Sequence, residues 1–312
     1  MTAGRMIRLG TRGSPLALAQ AHEVRDRLVA AHGLDPAAVQ IEIFKTTGDR
    51  VTDRPLADIG GKGLFTKELE EALLDGRIDL AVHSMKDMQT VLPEGLAIVA
   101  TLPREDVRDA FISSRFQSLA ELPQGAVVGT SSLRRAAQAL RLRPDLTVVG
   151  FRGNVETRLA KLERGEADAT FLAAAGLNRL GKAHVISALL PIEDMLPAAA
   201  QGAIGIEARA DDESTATILS PLNDQRTALC VAAERAFLKV LEGSCRTPIA
   251  ALATLTSDRL EFRGMVLSPD GREVHERIVQ GRPEAAVRLA EDAATSILEV
   301  AGPQFLATGG ST

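Results

Sequence analysis

The chain has 312 residues, 45% of them hydrophobic, a formal net charge of −5, two cysteines and neither Trp nor Tyr. That apolar content fills two or three compact cores and excludes general disorder, while no apolar run reaches the ~18 residues of a membrane span and no secretory h-region is visible, so a cytoplasmic protein with no membrane partner is expected. The acidic balance and the lack of stacking aromatics argue against a nucleic-acid partner, and Cys230 and Cys245 have no Cys or His at metal-ligand spacing, so free thiols and no metal are expected.

Residues 7–11 read as a short apolar strand, Arg12-Gly13-Ser14 as a turn, and the run through Ala19-Gln20-Ala21 as a helix. Ile41-Glu42-Ile43-Phe44 is a second strand, ending in Thr46-Thr47-Gly48-Asp49. Gly60-Gly61-Lys62-Gly63 imitates a phosphate loop, but no glycine stands five positions before Gly61 and no Ser or Thr follows Lys62. The segment reads instead as a glycine-rich lid before a helix that begins near Phe65. Gly76 stops that helix, and Asp79-Leu80-Ala81-Val82 is a buried strand leading into His83-Ser84-Met85-Lys86-Asp87. Residues 101–106 close this first half.

The plan then recurs in the same order. Residues 126–130 repeat the strand and its Gly-Thr turn, Ser131-Ser132-Leu133-Arg134-Arg135 opens a helix, Leu146–Val149 ends in Phe151-Arg152-Gly153-Asn154, and Gly165 precedes the strand from Asp168 to Phe171. Residues 196–202 close the second half. Residues 203–207 read as one more strand, whose return to the first domain would give two chain crossings and a hinge. Asp211 through Pro221 looks like a linker. A third domain then opens with a helix from about Asp224, with Leu229, Ala233, Phe237 and Leu241 on its apolar face and Gly243 as its stop. Short strands with a turn at residues 268–271 and a final helix from Pro283 to about Val300 complete it.

Strands alternating with helices imply largely parallel sheets, whose ligands sit outside the carboxyl ends of the strands. The loops there carry Arg12, Ser14, Lys86 and Asp87 in the first half, and Ser132, Arg134, Arg135, Arg152, Arg158 and Arg179 in the second. Arginine binds carboxylate bidentately, so this concentration suits a polycarboxylated ligand. For Asp87 two readings compete, a helix N-cap beside a core histidine or a cleft-facing acid; its place at a parallel-strand end favours the acid, which would stabilise a developing cation or shuttle a proton. Cys230 lies within an amphipathic helix and reads as a small buried hydrophobe. Position alone leaves Cys245 open between an inert and a reactive thiol, although Arg246 beside it favours the thiolate.

Six segments in one order, Thr11-Arg12-Gly13-Ser14-Pro15-Leu16-Ala17-Leu18, Gly60-Gly61-Lys62-Gly63-Leu64-Phe65, His83-Ser84-Met85-Lys86-Asp87, Gly129-Thr130-Ser131-Ser132-Leu133-Arg134-Arg135, Arg152-Gly153-Asn154 and Ala200-Gln201-Gly202, resemble the porphobilinogen deaminase family. The resemblance implies a transferase of tetrapyrrole (porphyrin, heme) biosynthesis. Such an enzyme condenses four porphobilinogen molecules head to tail with loss of ammonia, then releases linear hydroxymethylbilane with water. It implies a dipyrromethane cofactor joined by a thioether to Cys245, with Lys86, Ser132, Arg134, Arg135 and Arg158 holding the cofactor. Asp87 matches the catalytic aspartate, and Arg12, Ser14, Phe65, Arg152 and Arg179 match substrate contacts. Gln89 replaces a proline, Ser244 a glycine, and Asp58 a lysine found in relatives.

The resulting expectation is an α/β protein with two similar periplasmic-binding-protein-like α/β domains joined by a hinge, and a small α+β domain at the C-terminus. The first domain takes residues 1–102 with 201–220, the second 106–197 and the third 222–312. A monomer is expected. The competing readings are a non-enzymatic anion-binding module, which has no reason to display Cys245, and an unrelated carboxylate-processing transferase, which would turn over without a covalent pyrrole.

Overall fold

The computed structural model describes residues 6–50, 63–241, 248–302 and 305. Cys245, Lys62, Asp58 and most of the expected lid lie outside the described residues. Four strands, β1 (Ile7–Arg12), β2 (Val39–Phe44), β3 (Leu80–Ser84) and β4 (Leu96–Thr101), form the first sheet together with a strand that the chain supplies much later. The second sheet holds β5 (Asp109–Ile112), β6 (Val127–Gly129), β7 (Thr147–Val149), β8 (Ala169–Ala173) and β9 (Ala188–Leu189). The late strand is β10 (Ile204–Arg209), and the first sheet runs in the order β2-β1-β3-β10-β4.

The second sheet runs β7-β6-β8-β5-β9, the same layout. In each, the first three strands are parallel and the fourth is antiparallel to both its neighbours. The antiparallel fourth strand is also, in each sheet, the one that follows a chain crossing. β5 comes after residues 101–106 and β10 after residues 196–202, so the sequence repeat and the predicted return of the chain are both visible in the topology.

Burial explains the layers. β1 and β3 carry fully buried Leu9 and Leu80, against which the helix Pro15–His32 packs Ala21, Val24 and Leu28. That helix starts where Ser14 Oγ accepts the Ala17 N–H and Pro15 presets the first turn, and it ends at Gly33, whose positive φ of 61° turns the chain so that the Leu34 N–H also reaches Val29 O at 3.1 Å. The second sheet buries Phe111, Val128 and Phe171 against Ala139 of the helix Leu133–Leu142.

Residues 211–221, expected as a linker, instead form the helix Glu213–Leu219 and a 3-10 turn, Ser220–Leu222. Asp212 caps the helix through Thr215 N (2.9 Å), and Leu219 and Leu222 enter the first core. The polar Asp-Asp-Glu-Ser run is a helix start rather than a linker, and its two buried leucines supply the packing that a polar reading overlooks.

The C-terminal region is an antiparallel meander of β11 (Ile249–Thr256), β12 (Arg259–Leu267) and β13 (Val274–Gly281), with the helices Gln225–Val240 and Ala286–Ala301. Phe237 and Phe262 pack with ring centroids 5.2 Å apart in its core, joined there by Cys230. From Leu229 onward this region groups with residues 106–201, and among the described residues the compact units exchange the chain at 105/106, 201/202 and 228/229.

Candidate functional site

At the carboxyl ends of the parallel strands in the first sheet, one pocket is lined by Arg12, Ser14, Phe65, Thr66, His83 and Asp87, among others. β1 delivers Arg12, and the helix-capping role of Ser14 fixes the turn after it. The Arg12 guanidinium lies over the Phe65 ring, 4.2 Å from its centroid, a cation–π contact at the pocket wall. β3 runs into a single 3-10 turn, Met85–Asp87, that leaves Lys86 and Asp87 exposed while Met85 and Met88 anchor it from either side in the interior. Among the described residues the Asp87 carboxylate makes no hydrogen bond or ion pair, so it is open to a ligand.

The floor of this pocket is braced. His83 Nε2 lies 2.9 Å from Oε2 of Glu207 on the adjacent β10, both side chains buried. Ser84 and Gln20 exchange hydrogen bonds of 2.8 and 3.1 Å, tying the end of β3 to the first helix. Gln89, the position where relatives carry proline, donates through Nε2 to both oxygens of buried Glu70 at 3.0 and 3.2 Å. That bond joins the Asp87 turn to the helix Lys67–Leu74 behind Phe65.

The corresponding strand ends of the second sheet carry the arginines. Ser132 caps the helix Leu133–Leu142 through Arg135 N, placing Arg134 and Arg135 in its first turn. Both are buried and converge on Asp109: Arg134 Nη2 lies 2.8 Å from Oδ2, and Arg135 donates through Nε and Nη2 to Oδ1 at 3.1 and 2.7 Å. Burial alone would raise the Asp109 carboxyl, but the charges of Arg134 and Arg135 and their hydrogen bonds outweigh it and hold the group well below the usual carboxylate range. Arg135 Nη1 also donates to Phe171 O, and Arg134 Nη1 to Leu196 O. Two donors remain buried with no partner among the described residues, Arg134 Nε and Arg152 Nη1. Arg158 donates to Gly153 O at 2.9 Å, and Arg179 closes the helix Ala174–Arg179.

Arg12, Ser14, Phe65 and Asp87 are therefore gathered in one pocket, and Arg134 and Arg135 on one carboxylate. Strand-end reasoning missed Asp109, Thr66, Gln20 and Glu207. Asp109 opens β5, at the far side of its own sheet's sequence order, so only the three-dimensional pairing reveals it. Gln20 sits in the middle of an amphipathic helix, where a buried amide reads as ordinary core.

A duplicated α/β protein with an open acid at one set of strand ends and a surplus of guanidinium at the matching set is the class defined by this fold and site. The family model described as porphobilinogen deaminase, dipyromethane cofactor binding domain, matches residues 7–217, and that for the porphobilinogen deaminase C-terminal domain matches residues 228–299. A porphobilinogen deaminase of Paracoccus denitrificans is 65% identical over 268 residues, 86% of each chain. A chloroplastic porphobilinogen deaminase of Oryza sativa subsp. japonica is 56% identical over 305 residues, 96% of this chain and 85% of the relative. Among solved structures, the methionine binding protein MetQ aligns at a TM-score of 0.44 and 15% identity, covering 74% of this chain and 95% of its own. The chain belongs to the porphobilinogen deaminase family. It is accordingly a transferase of tetrapyrrole synthesis with hydroxymethylbilane synthase activity, and its first matched domain is one that binds dipyrromethane. Among the described residues no helix is long and apolar enough to cross a membrane, and no group of His, Cys, Asp or Glu is arranged to hold a metal.

Proposed function

We propose that this chain condenses porphobilinogen head to tail on a dipyrromethane cofactor anchored at Cys245, with Asp87 as the catalytic acid. Arg134 Nε and Arg152 Nη1, buried donors with no partner among the described residues, fit a ligand with several carboxylates, since each has guanidinium N–H to offer. Arg134, Arg135, Arg158, Ser132 and Lys86 would hold the cofactor. When bound, the cofactor supplies the pyrrole carbon to which the first substrate is joined.

The protein's own part is binding, orientation and proton handling. Arg12, Ser14, Arg152 and Arg179 take the acetate and propionate groups of the substrate, and Phe65 packs against its ring. Asp87 faces the pyrrole nitrogens. It stabilises the cation left when ammonia departs, and it receives the proton lost once the new carbon–carbon bond has formed. We place the protein in the cytoplasm as a monomer, with the acid turn and the arginine half-site in separate domains.

The open Asp87 carboxylate in a pocket shared with Arg12 carries this reading. Asp87→Asn should lower porphobilinogen turnover by roughly 10²–10⁴-fold. Being exposed and unpaired, the residue should leave the circular dichroism spectrum and melting temperature unchanged. Full activity in the variant would remove Asp87 from the chemistry.

A further inference from the structure

Thr66 occupies the N-cap position of the helix Lys67–Leu74, where a threonine hydroxyl ordinarily accepts a backbone N–H of the first turn. Here it makes no capping bond. The backbone around it is satisfied: Thr66 N donates to Gly63 O, and Thr66 O accepts from Leu69 N and Glu70 N. The residue is only 2% exposed, and its Oγ1 is buried with no partner among the described residues. A hydroxyl stripped of water and given nothing in return destabilises the free protein. The residue nevertheless lines the same pocket as Arg12, Phe65 and Asp87.

We infer that Thr66 is a specificity-determining residue, its hydroxyl held dry and unbonded so that it can donate to a carboxylate of the incoming pyrrole beside Arg12. Asp87 in the same pocket is an acceptor and repels a carboxylate, so it faces the ring nitrogens; Ser14 Oγ accepts the Ala17 N–H and keeps its own proton for a carboxylate, so Thr66 adds a second hydroxyl donor to that of Ser14. Arg12 supplies the charge, and the threonine hydroxyl adds a direction that a cation stacked on a ring does not. The inference rests on the pyrrole reading of the site given above.

The test uses the full-length holoenzyme, with KM and kcat for porphobilinogen and the melting temperature measured for Thr66→Val and Thr66→Ser. Valine keeps the shape and removes the hydroxyl. It should raise KM roughly tenfold or more, the usual effect of losing a hydrogen bond to a charged group, with kcat within about twofold. Its melting temperature should be equal to or above that of the wild type, because the lost hydroxyl had no partner to leave behind. Serine should restore KM. The opposed signs, stability kept and affinity lost, separate a ligand-binding hydroxyl from a structural one. An unchanged KM in the valine variant overturns the inference, whether or not stability falls. Should valine not accumulate in folded form, Thr66→Ala, which fits the same space, should show the same rise in KM, and an unchanged value there overturns the inference equally. Wild-type enzyme that fails to consume porphobilinogen would instead overturn the pyrrole reading itself.

Discussion

Asp109 has no exposed surface and answers two buried guanidiniums with one carboxylate, so the cluster with Arg134 and Arg135 carries a net positive charge in the interior of the second domain. Gln201 is a third partner, donating through Nε2 to Oδ1 at 3.1 Å. Removing the carboxylate leaves both cations buried without an ion partner, which typically costs about 3–5 kcal/mol. Asp109→Asn should therefore melt well below the wild type at neutral pH. Because the folded carboxyl is depressed, its stabilising contribution is complete above the unfolded value of about 3.9 and is lost as the pH falls below it. The gap between the melting temperatures of wild type and variant should accordingly narrow below about pH 4; a gap independent of pH would show that charge is not what Asp109 contributes. The sequence points to the acid and the arginines because strand ends face ligands, but it does not separate arginines engaged by the fold from those with donors to spare. Arg135 spends Nε, Nη1 and Nη2 on Asp109 and Phe171, whereas Arg134 keeps Nε unused, and that difference depends on a partner 26 residues from Arg135 in sequence.

The helix Leu133–Leu142 serves two faces at once. Its first turn presents the arginines, and Ala137 packs with Ala250, Leu252, Met265 and Leu267 of the C-terminal meander. The turn before β13 touches the same helix. Gly271 has φ 72°, and a Cβ there would sit 2.2 Å from Ala137 O, a backbone atom that cannot swing aside. Gly271→Ala combines a left-handed conformation with overpacking and should cost about 1–3 kcal/mol. Because the helix carries Arg134, the variant should also hold less cofactor per molecule, read by intact mass. Wild-type stability and occupancy together would show that the contact does not position the helix. At this scale the strand-turn-helix repeat was legible, since apolar runs closed by Gly-Thr or Gly-Asn turns recur at matching places. β4, β5 and β9 were not, because each pairs antiparallel at or near a sheet edge and carries no loop signature of its own. The helix Glu213–Leu219 was hidden by its charged first turn.

Two sheets of one topology are linked by two crossings, and the second crossing is held firmly on the side of the second domain. Ala200 adopts φ 61°, a conformation disfavoured for a residue with a Cβ. Its N–H donates to Oε2 of Glu234 at 2.5 Å, while Glu234 Oε1 accepts from Ala253 N at 2.8 Å, with the carboxylate fully buried. Gln201, also fully buried, reaches Val107 O and Asp109. The crossing thus shares Asp109 with the arginine pair, and a strained alanine persists because the helix Gln225–Val240 and β11 both hold Glu234 in place. The C-terminal domain follows directly from that helix and brings Cys245, the proposed anchor. The most direct test is the intact mass of the purified protein under denaturing conditions beside a Cys245→Ser variant. An excess equal to two linked pyrrole units in the wild type, absent from the serine variant, is the predicted result. A wild-type chain that stays at the bare polypeptide mass after incubation with porphobilinogen, or an excess that survives in Cys245→Ser, would contradict it.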